Sequence, residues 1–120
     1  MTNNESQEMY LETILKLQKR KGTVHAIDVA EELGYSKPSV SRAVGIMKKD
    51  GFIVVRADGT IDFTDSGREK AARILDRHKS LTDALVKMGM ERVAAEENAC
   101  RVEHVLTEDA YETIKNYFKV

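Results

Sequence analysis

Apolar residues recur every three or four positions through most of the chain, and this period predicts α-helices. The first such stretch covers residues 7–20. Its apolar stripe consists of Tyr10, Leu11, Ile14, Leu15 and Leu17. On a helical projection Met9 and Glu12 fall on the opposite side, away from that stripe. Gly22 is then expected to end the helix.

The next two apolar stretches predict a helix-turn-helix. Residues 26–33 form the first helix, and Gly34-Tyr35-Ser36 breaks the chain after it. Ser36 suits the N-cap of the following helix, and Pro38 suits its first turn, where a missing N–H costs nothing. That helix extends to about Lys49, and every charged residue in it is basic. Two helices joined by a short glycine-containing turn, the second one basic, are typical of a DNA-binding helix-turn-helix.

Two β-rich segments follow, at residues 52–55 and 60–63, with Asp58-Gly59 expected to form a two-residue hairpin turn. A hairpin directly after a recognition helix predicts the wing of a winged helix. The candidate DNA contacts are Ser36, Lys37, Pro38, Ser39, Ser41, Arg42, Lys48 and Arg56. Arg42 suits a guanine edge, and Arg56 suits a phosphate. The alternative is an ordinary helical hairpin with a solvated basic face.

The second half of the chain predicts three more helices, at residues 66–88, 91–106 and 107–118. In the middle one Ala95, Ala99, Val102 and Leu106 form an apolar stripe. Cys100, Glu103 and His104 lie at i, i+3 and i+4 on another face, joined there by Glu96. A thiolate, a carboxylate and an imidazole on one short surface suggest a metal site. The alternative is a small buried cysteine beside solvated polar residues.

The aromatic content of the last helix suggests burial against another subunit. We therefore predict a mainly α protein with a small β-hairpin wing. Residues 1–70 would form a winged helix-turn-helix DNA-binding domain, and residues 71–120 a helical metal-binding and dimerisation domain.

Composition and charge narrow the function classes. The chain is 42% hydrophobic and 32% charged, with one cysteine and a net charge of −1. A single cysteine excludes an internal disulfide and fits a reducing cytoplasm. No apolar run reaches the roughly 20 residues of a membrane span, and no signal-peptide pattern or glycine-rich phosphate loop is present. We expect no membrane partner and no organic cofactor.

Several short motifs together resemble the diphtheria toxin repressor family, which includes iron-dependent repressors and manganese transport regulators. They are Glu8-Met9-Tyr10-Leu11, Ser39-Val40-Ser41, Thr64-x-x-Gly67, Arg77-His78 and Cys100-Arg101-Val102-Glu103-His104-Val105. The resemblance implies a homodimeric, metal-activated repressor of metal-uptake genes that binds operator DNA. It also implies that Met9, Cys100, Glu103 and His104 match the iron-type ligands, and that His78 matches a metal-binding histidine of both branches.

Some positions depart from the iron-type pattern. Glu12 matches a ligand of the manganese-type regulators, while Thr82 and Glu96 occupy positions where the iron-type second site has a Glu and a His. A second site altered to His78, Glu12, Glu96 and Glu103 is the corresponding expectation. The SH3-like third domain of larger members is also not expected.

The donor set favours iron(II), because the sulfurs of Met9 and Cys100 are soft ligands, whereas manganese(II) prefers oxygen. Manganese(II) comes next because of Glu12, and zinc, cobalt or nickel would bind in vitro. Two other functions stay open on the sequence. One is a metal-free winged-helix regulator, and the other is a small hydrolase using Cys100 and His104, which we disfavour because no oxyanion donors are evident. We therefore expect no enzyme activity.

Overall fold

The computed structural model describes the chain over residues 3–120, with side chains described from residue 5 onward. Within that range the fold is mainly α with one small hairpin, which confirms the expected class. The elements in chain order are α1 (Asn3–Lys21), α2 (Ala26–Leu33), α3 (Lys37–Lys49), β1 (Ile53–Val55), β2 (Ile61–Phe63), α4 (Asp65–Lys87), α5 (Arg92–Val102) and α6 (Glu108–Phe118). No helix in this range is long and apolar enough to cross a membrane.

The chain divides into two compact units, the first ending at Ala72 and the second covering Arg73–Val120. In the first unit, α1, α2, α3 and the hairpin share one core. Its most buried apolar side chains are Leu11, Ile14, Val24, Val29, Val40, Met47, Ile53 and Ile61. In the second unit, Leu81, Ala99 and Tyr111 form a buried cluster with Leu85, Leu106 and Ile114 packed against it.

The helix-turn-helix follows its predicted boundaries. Gly34 ends α2 in the left-handed region at φ 68°, a conformation that costs glycine little. The Ser36 hydroxyl then caps α3 by accepting the Ser39 N–H at 3.3 Å. Lys48 and Lys49 lie in the last turn of α3, where positive charge complements the helix dipole.

The wing departs from the sequence prediction at its turn. Val55 pairs with Ile61, and the Arg56 N–H donates to the Thr60 carbonyl at 2.9 Å, so the loop proper has three residues instead of two. The Gly59 N–H donates to the Arg56 carbonyl, and Gly59 has φ 86°. This is a type I turn closed by a left-handed glycine, the usual three-residue hairpin loop; a two-residue Asp58-Gly59 loop of type I′ or II′ would need positive φ at Asp58, which Asp58 does not have.

A close backbone contact joins the hairpin to the start of α4. Thr64 caps the helix by accepting the Gly67 N–H at 3.1 Å, and its hydroxyl donates to the Gly51 carbonyl at 2.6 Å. A Cβ on Gly67 would lie 1.8 Å from the Phe52 carbonyl oxygen. Glycine is therefore required here for packing space.

Helix α5 is shorter than predicted. It begins after the Glu91 N-cap and ends at Val102, four residues before the expected end. Ala95 and Ala99 of the predicted apolar stripe are buried and Leu106 is partly buried, but Val102 is exposed, so its expected burial was wrong. Thr107 caps α6 by accepting the Ala110 N–H at 3.1 Å.

Candidate metal centre and nucleic-acid interface

A fully buried carboxylate lies between two imidazoles in the second unit. One oxygen of Glu103 is 2.7 Å from Nδ1 of His78, and the other is 3.0 Å from Nε2 of His104. The Glu103 side chain is 0% exposed, and both histidine side chains are largely buried. His78 is a predicted metal ligand, and its ring faces this carboxylate instead of solvent.

Helix α5 ends at Glu103 and a turn follows it. Glu103 is the C-cap of α5, and its N–H still donates to the Ala99 carbonyl at 2.9 Å. Residues 103–105 then form a turn in which the Val105 N–H donates to the Val102 carbonyl. The predicted single helical face for Cys100, Glu103 and His104 is therefore interrupted, since Glu103 and His104 lie at and beyond the helix end.

Arg77 braces this turn, a role that sequence reasoning missed. Its guanidinium donates to the Glu103 carbonyl at 3.0 Å and to the Leu106 carbonyl at 3.4 Å, and it forms an ion pair with Glu108 at 2.8 Å. The same group lies 4.7 Å from the centre of the Tyr111 ring. Helix-end carbonyls need such a partner, but these carbonyls lie 26 and 29 positions along the chain from Arg77, so no local pattern pointed to it.

The other candidate donors of the second unit differ in exposure. Cys100 is half-buried on α5, directly after the buried Ala99. Glu96 is exposed one turn earlier on the same helix. Thr82 is buried, and its hydroxyl donates to the His78 carbonyl at 2.8 Å, so it supports the backbone at His78.

In the first unit, the environment of Glu12 differs from that expected on the helical projection, whereas Met9 is half-buried. Glu12 is buried rather than displayed on a solvated face, and Lys16 forms an ion pair with it at 2.7 Å. The Met9 sulfur lies 3.5 Å from the Tyr35 hydroxyl, which donates to it. The Tyr35 ring in turn makes an edge contact with Tyr10, with the ring centres 6.0 Å apart. The projection failed for Glu12 because α1 is buried on more than one face, as the buried Thr13 beside it also shows.

The buried donors of the second unit fit a divalent transition metal. Imidazole nitrogen and carboxylate oxygen are common ligands of such ions, and a thiol on the adjacent helical turn adds a soft donor. A fully buried carboxylate is costly unless it is paired or coordinates a cation. Here both oxygens face nitrogen atoms that also bind metals, so the residues present suit a divalent ion.

The exposed face of α3 carries the candidate DNA contacts. Lys37, Ser41, Arg42 and Lys48 are exposed, and Ser39 is half-buried. Arg42 donates to the Ser39 hydroxyl at 3.4 Å, and the Ser36 hydroxyl is engaged in capping. With no acidic residue from 37 to 49, this face is uniformly cationic and suits phosphates and base edges.

Arg56 on the wing is exposed but, unlike Lys37 and Lys48 of α3, has an acidic partner within the protein. Its guanidinium forms an ion pair with Asp62 of β2 at 2.5 Å. The wing cation predicted to contact DNA is therefore engaged within the protein.

Two family descriptions match almost the whole chain. Residues 3–61 match the iron dependent repressor N-terminal DNA binding domain, and residues 64–119 match the iron dependent repressor metal binding and dimerisation domain. The chain belongs to the iron-dependent repressor family.

Curated relatives of this repressor family agree. The chain is 35% identical over 106 residues to the diphtheria toxin repressor of Corynebacterium diphtheriae, a match covering 85% of this chain and 46% of that protein. It is 28% identical over 118 residues to an uncharacterized HTH-type transcriptional regulator of Methanocaldococcus jannaschii, covering 97% of this chain and 94% of that one. The chain thus spans about half the length of the diphtheria toxin repressor and nearly the full length of the second relative.

A solved member of the iron-dependent repressor group has the same fold. The crystal structure of T. acidophilum IdeR superposes with a TM-score of 0.81 at 25% identity, covering 94% of this chain and 54% of that one. The resemblance stated from the sequence motifs is confirmed.

The second unit also carries an apolar groove of about 500 Å³. It lies between α4, the end of α5 and α6, and Tyr117 at its edge is 80% exposed. The lining residues are Leu81, Ala84, Leu85, Met88, Val102, Leu106, Thr113, Ile114, Tyr117 and Phe118. The family region that matches here is described as a dimerisation domain, and the groove lies within it.

Proposed function

We propose that this chain is a metal-activated transcriptional repressor that binds operator DNA as a homodimer and controls metal-uptake genes in the cytoplasm. The observation that carries the proposal is the buried Glu103 carboxylate held between the imidazoles of His78 and His104. Membership in the iron-dependent repressor family supports the regulatory role and argues against an enzyme.

The proposed ligand set keeps the donors named from the sequence. Cys100, Glu103 and His104 supply sulfur, oxygen and nitrogen from the second unit, and His78 supplies a further imidazole. Met9 and Glu12 are the proposed donors from α1. Glu96 is exposed, so we assign it at most to a secondary position at the edge of the site.

The expected metal is iron(II). Thiolate and thioether donors favour the softer transition metals over manganese(II), and an iron-type repressor keeps both sulfurs. The buried Glu12 carboxylate is the observation that supports manganese(II) as the second candidate. Zinc, cobalt and nickel should bind in vitro, since the affinity of nitrogen and sulfur sites follows the Irving–Williams order.

Each residue group has a defined part in DNA binding. A bound ion would join the donors and favour the arrangement that is competent for DNA binding. Arg77 holds the turn that positions Glu103 and His104. In the first unit, α3 would enter the major groove, with Arg42 facing a guanine edge and Lys37 and Lys48 facing phosphates.

Homodimerisation would bury the apolar groove of the second unit. An apolar patch of this kind on the surface of a small protein usually marks an interaction site. Two copies would present two recognition helices to half-sites separated by one or more turns of DNA.

The proposal is tested by selecting duplex DNA from a random pool with the purified chain and anaerobic iron(II). Binding to the selected duplex is then measured with iron(II), manganese(II), zinc(II) or chelator, for the wild type and for Cys100→Ser. We expect metal to tighten DNA binding of the wild type at least tenfold. In Cys100→Ser, which lacks the thiol, the tightening by iron(II) should fall more than that by manganese(II) or zinc(II). Metal-dependent binding that is unchanged in Cys100→Ser would remove the cysteine from the ligand set, and equal binding with chelator would favour the metal-free regulator.

A further inference from the structure

Asp62, in the middle of β2, is the centre of a polar network at the base of the wing. Its carboxylate accepts from Arg56 Nη2 at 2.5 Å, from the Phe63 N–H at 2.8 Å, from Gln18 Nε2 at 3.3 Å and from Arg68 Nη2 at 3.5 Å. The Asp62 side chain is 28% exposed, and the Arg56 side chain is 61% exposed. The carboxylate is thus anchored on the folded domain, while the arginine reaches it from the wing loop.

The Asp62 carboxylate is ionised at neutral pH. The hydrogen bond from the Phe63 N–H is the largest influence and lowers the pKa of Asp62; burial comes next and opposes it, and the contacts with Gln18 and Arg56 lower the pKa further. Since the Phe63 and Gln18 contacts do not involve Arg56, the carboxylate keeps its place whether or not Arg56 is bound.

The ion pair between Arg56 and Asp62 matters because the wing has few charged side chains. From residue 53 to 63 the charged side chains are Arg56, Asp58 and Asp62. The single cation of the segment is paired with one of its two carboxylates, so the wing carries net negative charge. While Arg56 Nη2 is bound to Asp62, the carboxylate offsets the positive charge of Arg56, so Arg56 adds its full charge to a DNA phosphate only when it leaves Asp62. Sequence-independent DNA affinity comes mainly from such phosphate neutralisation.

We propose that Asp62 is a specificity-determining residue that holds Arg56 away from the DNA backbone and so lowers affinity for non-operator DNA. Discrimination then depends on α3, whose face has no acidic residue, rather than on the wing. The inference rests on the proposed function, because it assumes that the first unit binds duplex DNA.

Asp62→Asn is the direct test, and Asp58→Asn is its matched control. Asparagine keeps a carbonyl oxygen for the Phe63 and Gln18 donors but loses the charge that holds Arg56. Asp58 lies in the same wing and its carboxylate accepts from the Thr60 N–H, so its substitution changes net charge equally without touching Arg56. Affinity of the full chain for a random-sequence duplex is measured by fluorescence anisotropy between 30 and 150 mM salt, with chelator and with manganese(II).

We expect Asp62→Asn to bind random duplex about three- to tenfold more tightly than Asp58→Asn. The slope of log K against log[salt] should steepen by about 0.9, the value for one further phosphate contact. In an Arg56→Gln background the difference between the two variants should vanish, because no arginine remains to be released. Equal effects of the two variants, or a difference that persists without Arg56, would overturn the proposal.

Arg56→Gln alone keeps the test decisive if Asp62→Asn does not fold. The proposal expects this variant to bind random duplex within twofold of the wild type and with the same salt slope, since Arg56 is already neutralised. A slope shallower by about 0.9 would show that Arg56 contacts phosphate in the wild type and would contradict the proposal. If no variant binds any duplex in either condition, the proposed DNA-binding function itself fails.

Discussion

Glu103 combines complete burial with ionisable partners on both sides. A buried carboxylate needs a hydrogen-bonding or charged partner; the ring nitrogens of His78 and His104 lie within hydrogen-bond distance of its two oxygens, and a divalent ion would compensate its charge. Arg77 donates a hydrogen bond to the backbone carbonyl of Glu103 and so holds the backbone from which this side chain extends. Glu103 is therefore the residue on which both the geometry and the ligand chemistry of the proposed site depend.

Glu103→Gln should lower metal affinity by about tenfold or more, because the amide keeps the shape of the side chain but removes the anionic ligand. Glu96→Gln is the comparison variant, since it makes the same change on an exposed side chain of α5 at the edge of the proposed site, where a smaller loss is expected. Isothermal titration with manganese(II) and with cobalt(II) measures both. A loss from Glu96→Gln as large as that from Glu103→Gln would show that the exposed carboxylate is a ligand of equal weight.

At the residue scale, donor type could be read from the sequence and donor environment could not. The Cys100 to His104 spacing led to a predicted metal-ligand set, which stays a prediction, whereas the burial of Glu103 follows from how the second unit packs. The burial of Glu12 was missed because a helical projection assumes a single buried face. The use of Arg77 was missed because its partners are backbone carbonyls about 30 positions away, which no local pattern reveals.

Among the elements, the turn after α5 depends on Arg77. Arg77→Lys should lower the free energy of unfolding by about 1–2 kcal/mol, because an ammonium cannot reach two carbonyls and a carboxylate as the planar guanidinium does. Urea unfolding measures the change, and Arg101→Lys, on an exposed position of α5, is the control. An equal effect of the two substitutions would mean that the guanidinium contacts do not stabilise the turn.

The junction between the hairpin and α4 depends on Gly67. Gly67→Ala should destabilise the chain by about 1–3 kcal/mol or more, because the new methyl group would overlap the Phe52 carbonyl. Gly45→Ala, in the exposed middle of α3 with nothing within 4 Å, should instead stabilise it by about 1 kcal/mol. Thermal unfolding followed by circular dichroism compares them, and the same sign for both would contradict this reading of Gly67.

Element boundaries were predictable where capping residues mark them. Ser36, Thr64 and Thr107 each cap the helix expected from the sequence, and Gly34 ends α2 as predicted. The end of α5 was misplaced because no glycine or proline follows it, and tertiary contacts of Arg77 end the helix instead. The wing turn was misassigned because Asp-Gly fits both a two-residue loop and the end of a three-residue one.

For the whole molecule, the apolar groove of the second unit is the surface proposed to bind a second copy of the chain. Tyr117→Asp should raise the dimer dissociation constant at least tenfold, about 1.4 kcal/mol, because it places a charge at the edge of the groove. Val93→Asp, exposed on α5 outside the groove, is the control. Sedimentation equilibrium measures both, and an unaffected dimer in Tyr117→Asp would place the subunit contact elsewhere.

The proposed repressor function depends on a metal bound by nitrogen, oxygen and sulfur donors of this chain. X-ray absorption at the iron edge, on the full chain loaded anaerobically with iron(II), reads those donors directly. We predict a first shell with one or two sulfurs and nitrogen or oxygen neighbours, together with the outer-shell scattering of imidazole, and a loss of sulfur in Cys100→Ser. A shell of oxygen alone without imidazole scattering would contradict it.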